Sequence, residues 1–329
     1  MVAGVGRRHF ISALGGTALA LPLTAQAQQP AKPARIGFLY PGVSAVAVSR
    51  IKALRLGLEA MGYGIDQVEI IDHSSQGDPG KLPGLAADLV ARKVDVIVPI
   101  SPAGVRTAKS ATTTIPIVAN DLESDPVASG FVASLARPGG NITGVFSDFP
   151  DFGTKWLEIL KEALPNLTKV VVMRDPATAP TQLDAVTAAA RLLRVRLDVV
   201  DVRAIAELRH AFEIAAGHKP DAVIVLASPL FGTEPKLIAD LALDHRLPTV
   251  TLFSEIARAG GLLSYGPDLL ETFRQTGTMA GKVLRGQKPA DLPVERPTKF
   301  EMIVNQRTAK ALGITLPNAV LLHADEVIE

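Results

Sequence analysis

The sequence predicts an α/β protein made of two Rossmann-like lobes, each a doubly wound parallel sheet. Three observations lead there. Short runs rich in Val and Ile alternate with longer stretches of helical periodicity, the rhythm of parallel strands joined by crossover helices. That rhythm ends near Asn141-Ile-Thr-Gly-Val145 and then starts again. A strand running into Ser-Pro and then a helix occurs once in each half, as Asp95-Val-Ile-Val-Pro-Ile-Ser101-Pro102 and as Asp221-Ala-Val-Ile-Val-Leu-Ala-Ser228-Pro229. With 329 residues, 47% of them hydrophobic and 20% charged, the chain can fill two such cores.

Taken in order, residues 1–27 read as a removable address. Arg7-Arg8, an apolar run from Ala13 to Leu23 and Ala25-Gln26-Ala27 follow the order of a cleavable export signal. The arginine pair followed by His9-Phe10-Ile11 has a twin-arginine character, while Gly6 and Ser12 leave the choice between twin-arginine and general secretion open. Cleavage is expected after Ala27, giving a periplasmic protein. No later stretch has the ~18 uninterrupted apolar residues of a spanning helix. The first lobe then reads as strand Ile36–Tyr40, a helix from about Val46 to Met61, strand Val68–Ile71, a helix around Leu85–Arg92, strand Val94–Ile100, a helix around Val105–Thr112 and strand Ile117–Ala119. Runs nearly continuous in Val and Ile, such as 94–98, suit strands covered by helices on both faces.

The second lobe repeats the design. A helix near Lys155–Leu164 precedes strand Val170–Met173, a helix near Gln182–Leu193, strand Arg196–Val200, a helix near Ile205–Ala216, strand Ala222–Leu226 and a helix near Lys236–His245. Strand Gly261–Tyr265, a helix from about Leu269 to Arg285 and an extended Phe300–Val304 close the chain. The stiff connector Lys288-Pro-Ala-Asp-Leu-Pro293 suggests that this last part crosses between lobes, so that two or three crossings form a hinge. The expected division is residues 31–146 with about 263–287 in one lobe, and 147–262 with about 288–329 in the other.

Composition narrows the function. Cysteine is absent, which removes disulfides, thiolate zinc sites and cysteine nucleophiles. Arg7 and Arg8 are the only charged side chains of the address, so the mature chain carries 32 basic against 33 acidic groups and offers no basic run for nucleic acid. GxSxG, Walker A, HExxH and a strand-to-helix GxGxxG are all missing. His73, His210, His218, His245 and His323 lack ligand-spaced partners, so no metal or cofactor is expected, and a non-enzymatic role follows.

In open parallel sheets ligands bind beyond the carboxyl ends of the strands, so the residues just past each strand are the candidates. Tyr40-Pro41, Ser101-Pro102, Asp175-Pro176 and Ser228-Pro229 all stand there. Ser at the N-cap with Pro at N1 starts a helix and can also turn a hydroxyl and free N–H groups toward a carboxylate. In Asn120-Asp-Leu-Glu-Ser-Asp125-Pro126, Asp125 can cap a helix or meet a ligand ammonium. Ser147 and Asp148 fall at the hinge as turn formers or ligand donors. Tyr40, Phe253 and Tyr265, near strand exits in a chain only 5% aromatic, can wall a cleft or pack in the core.

Six segments carry a family resemblance: Arg35-Ile-Gly-Phe-Leu39, Leu82-Pro-Gly-Leu-Ala-Ala-Asp-Leu-Val90, Ala111-Thr-Thr-Thr-Ile-Pro-Ile-Val118, Ser134-Leu-Ala-Arg-Pro-Gly-Gly-Asn-Ile-Thr-Gly-Val145, Ala259-Gly-Gly-Leu-Leu-Ser-Tyr-Gly266 and Gly286-Gln-Lys-Pro-Ala-Asp-Leu-Pro293. Over about residues 35 to 300 the chain resembles the ABC-transporter substrate-binding family whose better-understood members take up tryptophan and tyrosine. The resemblance implies a type I periplasmic-binding protein fold with a three-crossing hinge. It also implies a ligand held by the loops of Tyr40, Ser101, Asp125, Ser147 and Ser228. The chain departs from the family at Asp121 and Glu123, where small or apolar residues are usual, and at Asp72-His-Ser-Ser75. The expected function is the extracytoplasmic solute-binding component of an ABC importer, a monomer that closes on an amino acid or related carboxylate and delivers it to an inner-membrane ABC permease. The same receptor serving a sensor kinase or chemoreceptor is the alternative, and a two-lobed enzyme comes after it. The expected ligand-binding set is Tyr40, Ser101, Pro102, Asp125, Ser147, Ser228, Phe253 and Tyr265.

Overall fold

A computed structural model describes residues 32–147, 150–178 and 180–329. The expected export signal and Asp148 lie outside the described residues. The first sheet is built by β1 (Ala34–Tyr40), α1 (Ser44–Ala60), β2 (Val68–Ser74), α2 (Leu82–Ala91), β3 (Val96–Pro99), α3 (Ser101–Ala111), β4 (Ile117–Asp121) and β5 (Ile142–Phe146). Its five strands run parallel in the order β2-β1-β3-β4-β5. The pleat sends alternate side chains to opposite faces. Ile36, Phe38, Val96 and Val98 enter one apolar cluster while Leu39 and Ile97 enter another, so both faces are helix-covered.

The second sheet follows α4 (Pro150–Ala163). It takes in β6 (Lys169–Arg174), α5 (Thr181–Leu193), β7 (Arg196–Asp201), α6 (Leu208–Gly217), β8 (Ala222–Val225), α7 (Pro229–Gly232), α8 (Pro235–Asp244), β9 (Thr249–Thr251), α9 (Ser254–Ala259) and β10 (Leu263–Pro267). The chain then leaves as α10 (Leu269–Leu284) and returns as β11 (Phe300–Asn305), α11 (Gln306–Leu312), α12 (Asn318–Leu322) and β12 (Glu326–Ile328). The strand order is β12-β11-β10-β9-β8-β6-β7. Its core gathers Leu157, Val171, Ile224, Phe231 and Val250, all fully buried.

Three connections join the sheets: one between β5 and α4, one at Pro267–Asp268 and one at 296–299. The third lies later than the connector at 288 suggested. Up to Glu295 the chain stays with the first sheet, because Glu295 accepts from the Phe146 N–H at 3.0 Å and donates its own N–H to Gly144 at 2.9 Å. The expected division errs at β10 also. Leu263–Pro267 pairs with β9 and β11 in the second sheet, and only α10 belongs to the first lobe. There Phe273, Met279 and Val283 of α10 join the cluster of Phe38 and Leu54, each burial contributing about 1.5–3 kcal/mol. Two strands run against the rest of this sheet: β11 is antiparallel to β10, and β12 lies parallel to β11 at the edge. The chain exits the second lobe at the end of β10 and re-enters at the start of β11, both at the hinge, so the two must point in opposite directions. Among the described residues, no helix is long and apolar enough to cross a membrane.

Candidate functional site

The carboxyl ends of β1, β3 and β4 face those of β8 and β9 across a cleft. An inner cavity there takes in about 500 Å³ of space between the atoms, counted with its open mouth. The first lobe lines it with Tyr40, Arg50, Ser101, Asn120, Glu123 and Phe273, and the second with Ala227, Pro229, Leu252 and Phe253. A second chamber of about 620 Å³ lies beside it, bordered by Pro102, Arg106, Asp175 and Arg203. Ser101, Glu123 and Pro229 border both, forming a sill between them.

Aromatic rings support the inner wall. Phe38 lies 5.9 Å from Tyr40 and 6.1 Å from Phe273, centroid to centroid, within the range of favourable ring packing. Burial pushes the Tyr40 phenol up to about 12, against the opposing pull of Arg50, so it stays neutral. Arg50 sits in the apolar stripe of α1 beside Ala47 and Leu54. Its guanidinium lies 6.0 Å from the centre of the Phe273 ring and 2.7 Å from Glu255 of α9 in the other lobe.

The two Ser-Pro helix starts differ. Ser228 is the cap the sequence predicts: its hydroxyl accepts the Leu230 N–H at 3.1 Å and donates to Asp175 at 2.7 Å. Both capacities are used, and Ser228 does not border either chamber, although Ala227 and Pro229 do. Ser101 is not the cap. Ile100 takes that position, and Ser101 opens α3 at φ +66°, a left-handed conformation that a residue with a Cβ adopts at a cost. Its Oγ is buried without a hydrogen-bond partner.

Asp125 lies away from both chambers. Its carboxylate accepts the N–H groups of Val127 at 2.8 Å and Ala128 at 3.2 Å, capping a turn. Two residues earlier Glu123 points inward, with Oε2 buried and unpartnered. Burial, with Asp121 and Asp175 nearby, raises its carboxyl well above the usual range despite Arg106. Asp121 accepts the Glu123 N–H at 2.9 Å and the Ser124 hydroxyl, and burial still lifts it to about 7.

Ser147, at the hinge as expected, and Tyr265 border neither chamber. They line a separate pocket at the hinge with Phe152, Arg296 and Phe300. Tyr265 stacks on Phe300 at 6.5 Å, a contact between the strands flanking two of the crossings. Of the expected set, Tyr40, Ser101 and Phe253 meet in the inner cavity, and Pro102 borders the outer one. Sequence reasoning did not single out Arg50, Asn120 and Phe273, nor Glu123, the carboxylate of the Asp121-to-Asp125 loop that borders the cavity. An arginine inside the apolar stripe of α1 was the available signal, since such a residue is rarely buried without a task. Among the described residues, no group of three His, Asp or Glu is placed to hold a metal ion.

Comparison with known proteins agrees with this geometry. The family model for "ABC transporter substrate binding protein" matches residues 45–328. A tyrosine-binding protein of Clostridioides difficile is 27% identical over 293 residues, covering 87% of this chain and 83% of the relative. A Streptococcus pneumoniae ABC domain solved in complex with L-Trp is 28% identical and superposes with a TM-score of 0.83, over 90% of this chain and 100% of that one. A ligand-free, open substrate-binding protein with adhesive properties from Clostridium difficile is 25% identical, with a TM-score of 0.64 over 90% and 99%. Two parallel-dominated lobes, a three-crossing hinge and a cleft between strand ends meet a family match spanning most of the sequence: this chain belongs to the ABC transporter substrate-binding protein family.

Proposed function

We propose that this protein is the periplasmic, non-enzymatic receptor of an ABC importer, working as a monomer, and that it holds an amino acid with an aromatic side chain between its lobes. Ligand enters the open cleft, the lobes rotate about the three crossings, and both sides contact it in the closed form, which an inner-membrane permease then reads. Tyr40, Phe253 and Phe273 wall the side chain, and Ser101, Asn120 and Glu123 face its polar end. One observation carries the reading: Ser101 Oγ and Glu123 Oε2 are buried, unpartnered and both border the inner cavity. A buried polar group without a partner costs roughly 1–3 kcal/mol, which a ligand's hydrogen bonds would recover.

Two comparisons support the ligand class and the motion. The relatives named for tyrosine and solved with L-Trp are similar over most of their lengths. The whole chain also superposes better on the L-Trp complex than on the ligand-free open relative, at TM-scores of 0.83 and 0.64. A thermal-shift screen of the purified protein against the amino acids, aromatic acids and polyols tests the reading, because a ligand that binds only the folded state raises the melting temperature by mass action. Stabilisation by tyrosine or tryptophan is expected. Stabilisation by a polyol alone would overturn the ligand class, and turnover of any bound compound would overturn the non-enzymatic role.

A further inference from the structure

We propose that Glu123 makes the ligand's ammonium the obligatory group of this site and leaves its carboxylate dispensable. This rests on the reading of the cleft as an aromatic amino-acid site and goes further by ranking the two charges of that ligand.

The polar groups of the inner cavity are not equally free. Arg50 already has Glu255 at 2.7 Å and the Phe273 ring beside it. The Asn120 amide donates to Thr276 at 3.0 Å. In the outer chamber Arg203 pairs with Asp201 at 3.1 Å, and Arg106 is exposed, where solvent weakens its hold on an anion. Ser101 and Glu123, by contrast, are each more than nine-tenths buried with an oxygen that has no partner.

A hydroxyl and a carboxyl on one sill, with Asp121 and Asp175 behind them, form an acceptor site for a cation. An ammonium would take the ionised Glu123 and the Ser101 oxygen together. A ligand bearing only a carboxylate would instead bring its charge beside Asp121, Glu123 and Asp175, where the buried cation of the cavity, Arg50, is already paired with Glu255. Burial raises the Glu123 carboxyl above the usual carboxylate range in the empty site, and an ammonium docking beside it favours the ionised form and so the release of a proton.

The test uses calorimetry with two ligand series that keep the ring constant: L-tyrosine, tyramine and deamino-tyrosine, and the corresponding tryptophan set. In the unaltered protein, loss of the ammonium should weaken binding on the order of a hundredfold, and loss of the carboxylate by less than about tenfold. Glu123→Gln should bring the two analogues to similar affinities. Titration in two buffers of different ionisation enthalpy should show proton release with the amines, a readout that needs no variant and survives if Glu123→Gln fails to fold. Deamino-tyrosine binding within a few-fold of tyrosine, or amine binding without proton release, would overturn this ranking while leaving the amino-acid reading intact. If no member of either series binds, both fail together.

Discussion

Arg50 of α1 and Glu255 of α9 form an ion pair of 2.7 Å that spans the two lobes. The Arg50 side chain is only 6% exposed, and the second carboxylate oxygen of Glu255 is buried without a partner. Such a pair exists only while the lobes are together, since opening the cleft returns both groups to water. Under the proposed closure the pair would favour the closed lobes, and it would do so without touching the crossings. Glu255→Gln should lower the closed population by about 1–2 kcal/mol, enlarging the radius of gyration of the ligand-free protein in X-ray scattering and weakening ligand roughly tenfold. Equal scattering profiles for both proteins at low and high salt would show that the pair does not hold the lobes.

Where α1 crosses α10, two glycines set the separation. A Cβ on Gly57 would land inside the Arg274 carbonyl oxygen, and one on Gly277 inside that of Leu54. Backbone cannot yield as a side-chain tip can. Gly57→Ala should force the helices apart and destabilise the fold by about 2–3 kcal/mol in urea unfolding. Gly84, on α2 with open space around it, is the matched control: Gly84→Ala should stabilise by roughly 0.5–1 kcal/mol. If both changes have the same small effect, the close crossing is not what Gly57 serves.

Ser101 combines a left-handed backbone with a stranded hydroxyl, two costs borne by one residue at the cleft. Glycine removes both. Ser101→Gly should raise the melting temperature of the empty protein, corresponding to about 1 kcal/mol, while reducing affinity for the screened ligand severalfold. A variant that loses stability and keeps its affinity would mean that the hydroxyl works for the fold and not for the ligand.

Much of the architecture was legible in the sequence because parallel strands buried on both faces announce themselves: Val96–Pro99 and Ala222–Val225 are buried at every position. The lobe boundary was less so. Leu263–Pro267 carries no mark of which sheet it joins, because an edge between lobes is decided by where the chain crosses and not by local propensity. The site was read in part. Strand exits gave Tyr40 and Ser101, but Asp125 and Glu123 are both acids in one loop, and only backbone direction separates the cap from the cavity. Matched Ser-Pro motifs suggested equivalent roles, yet a single dihedral angle at Ser101 moves its hydroxyl out of the capping geometry that Ser228 keeps.

Asp121 links this cleft to pH. Its carboxyl is fully buried and titrates near about 7 in the folded chain, against about 3.9 unfolded. Below both values the two states are protonated and the group contributes nothing. Between them the unfolded chain loses the proton and the folded one keeps it, so stability falls as pH rises; above the folded value the whole penalty remains. The ceiling is roughly 4 kcal/mol, and Glu123, raised in the same direction, adds to the slope. Asp121→Asn keeps the geometry, since its oxygen can accept the Glu123 N–H and its amide can donate to the Ser124 hydroxyl. The ligand-free protein should therefore lose stability between about pH 4 and about pH 7, and the variant should lose much less. Emission from Trp156, the chain's single tryptophan and buried at 1% exposure, follows unfolding in urea at each pH. Parallel curves for the two proteins would mean that Asp121 is ionised in the fold throughout this range.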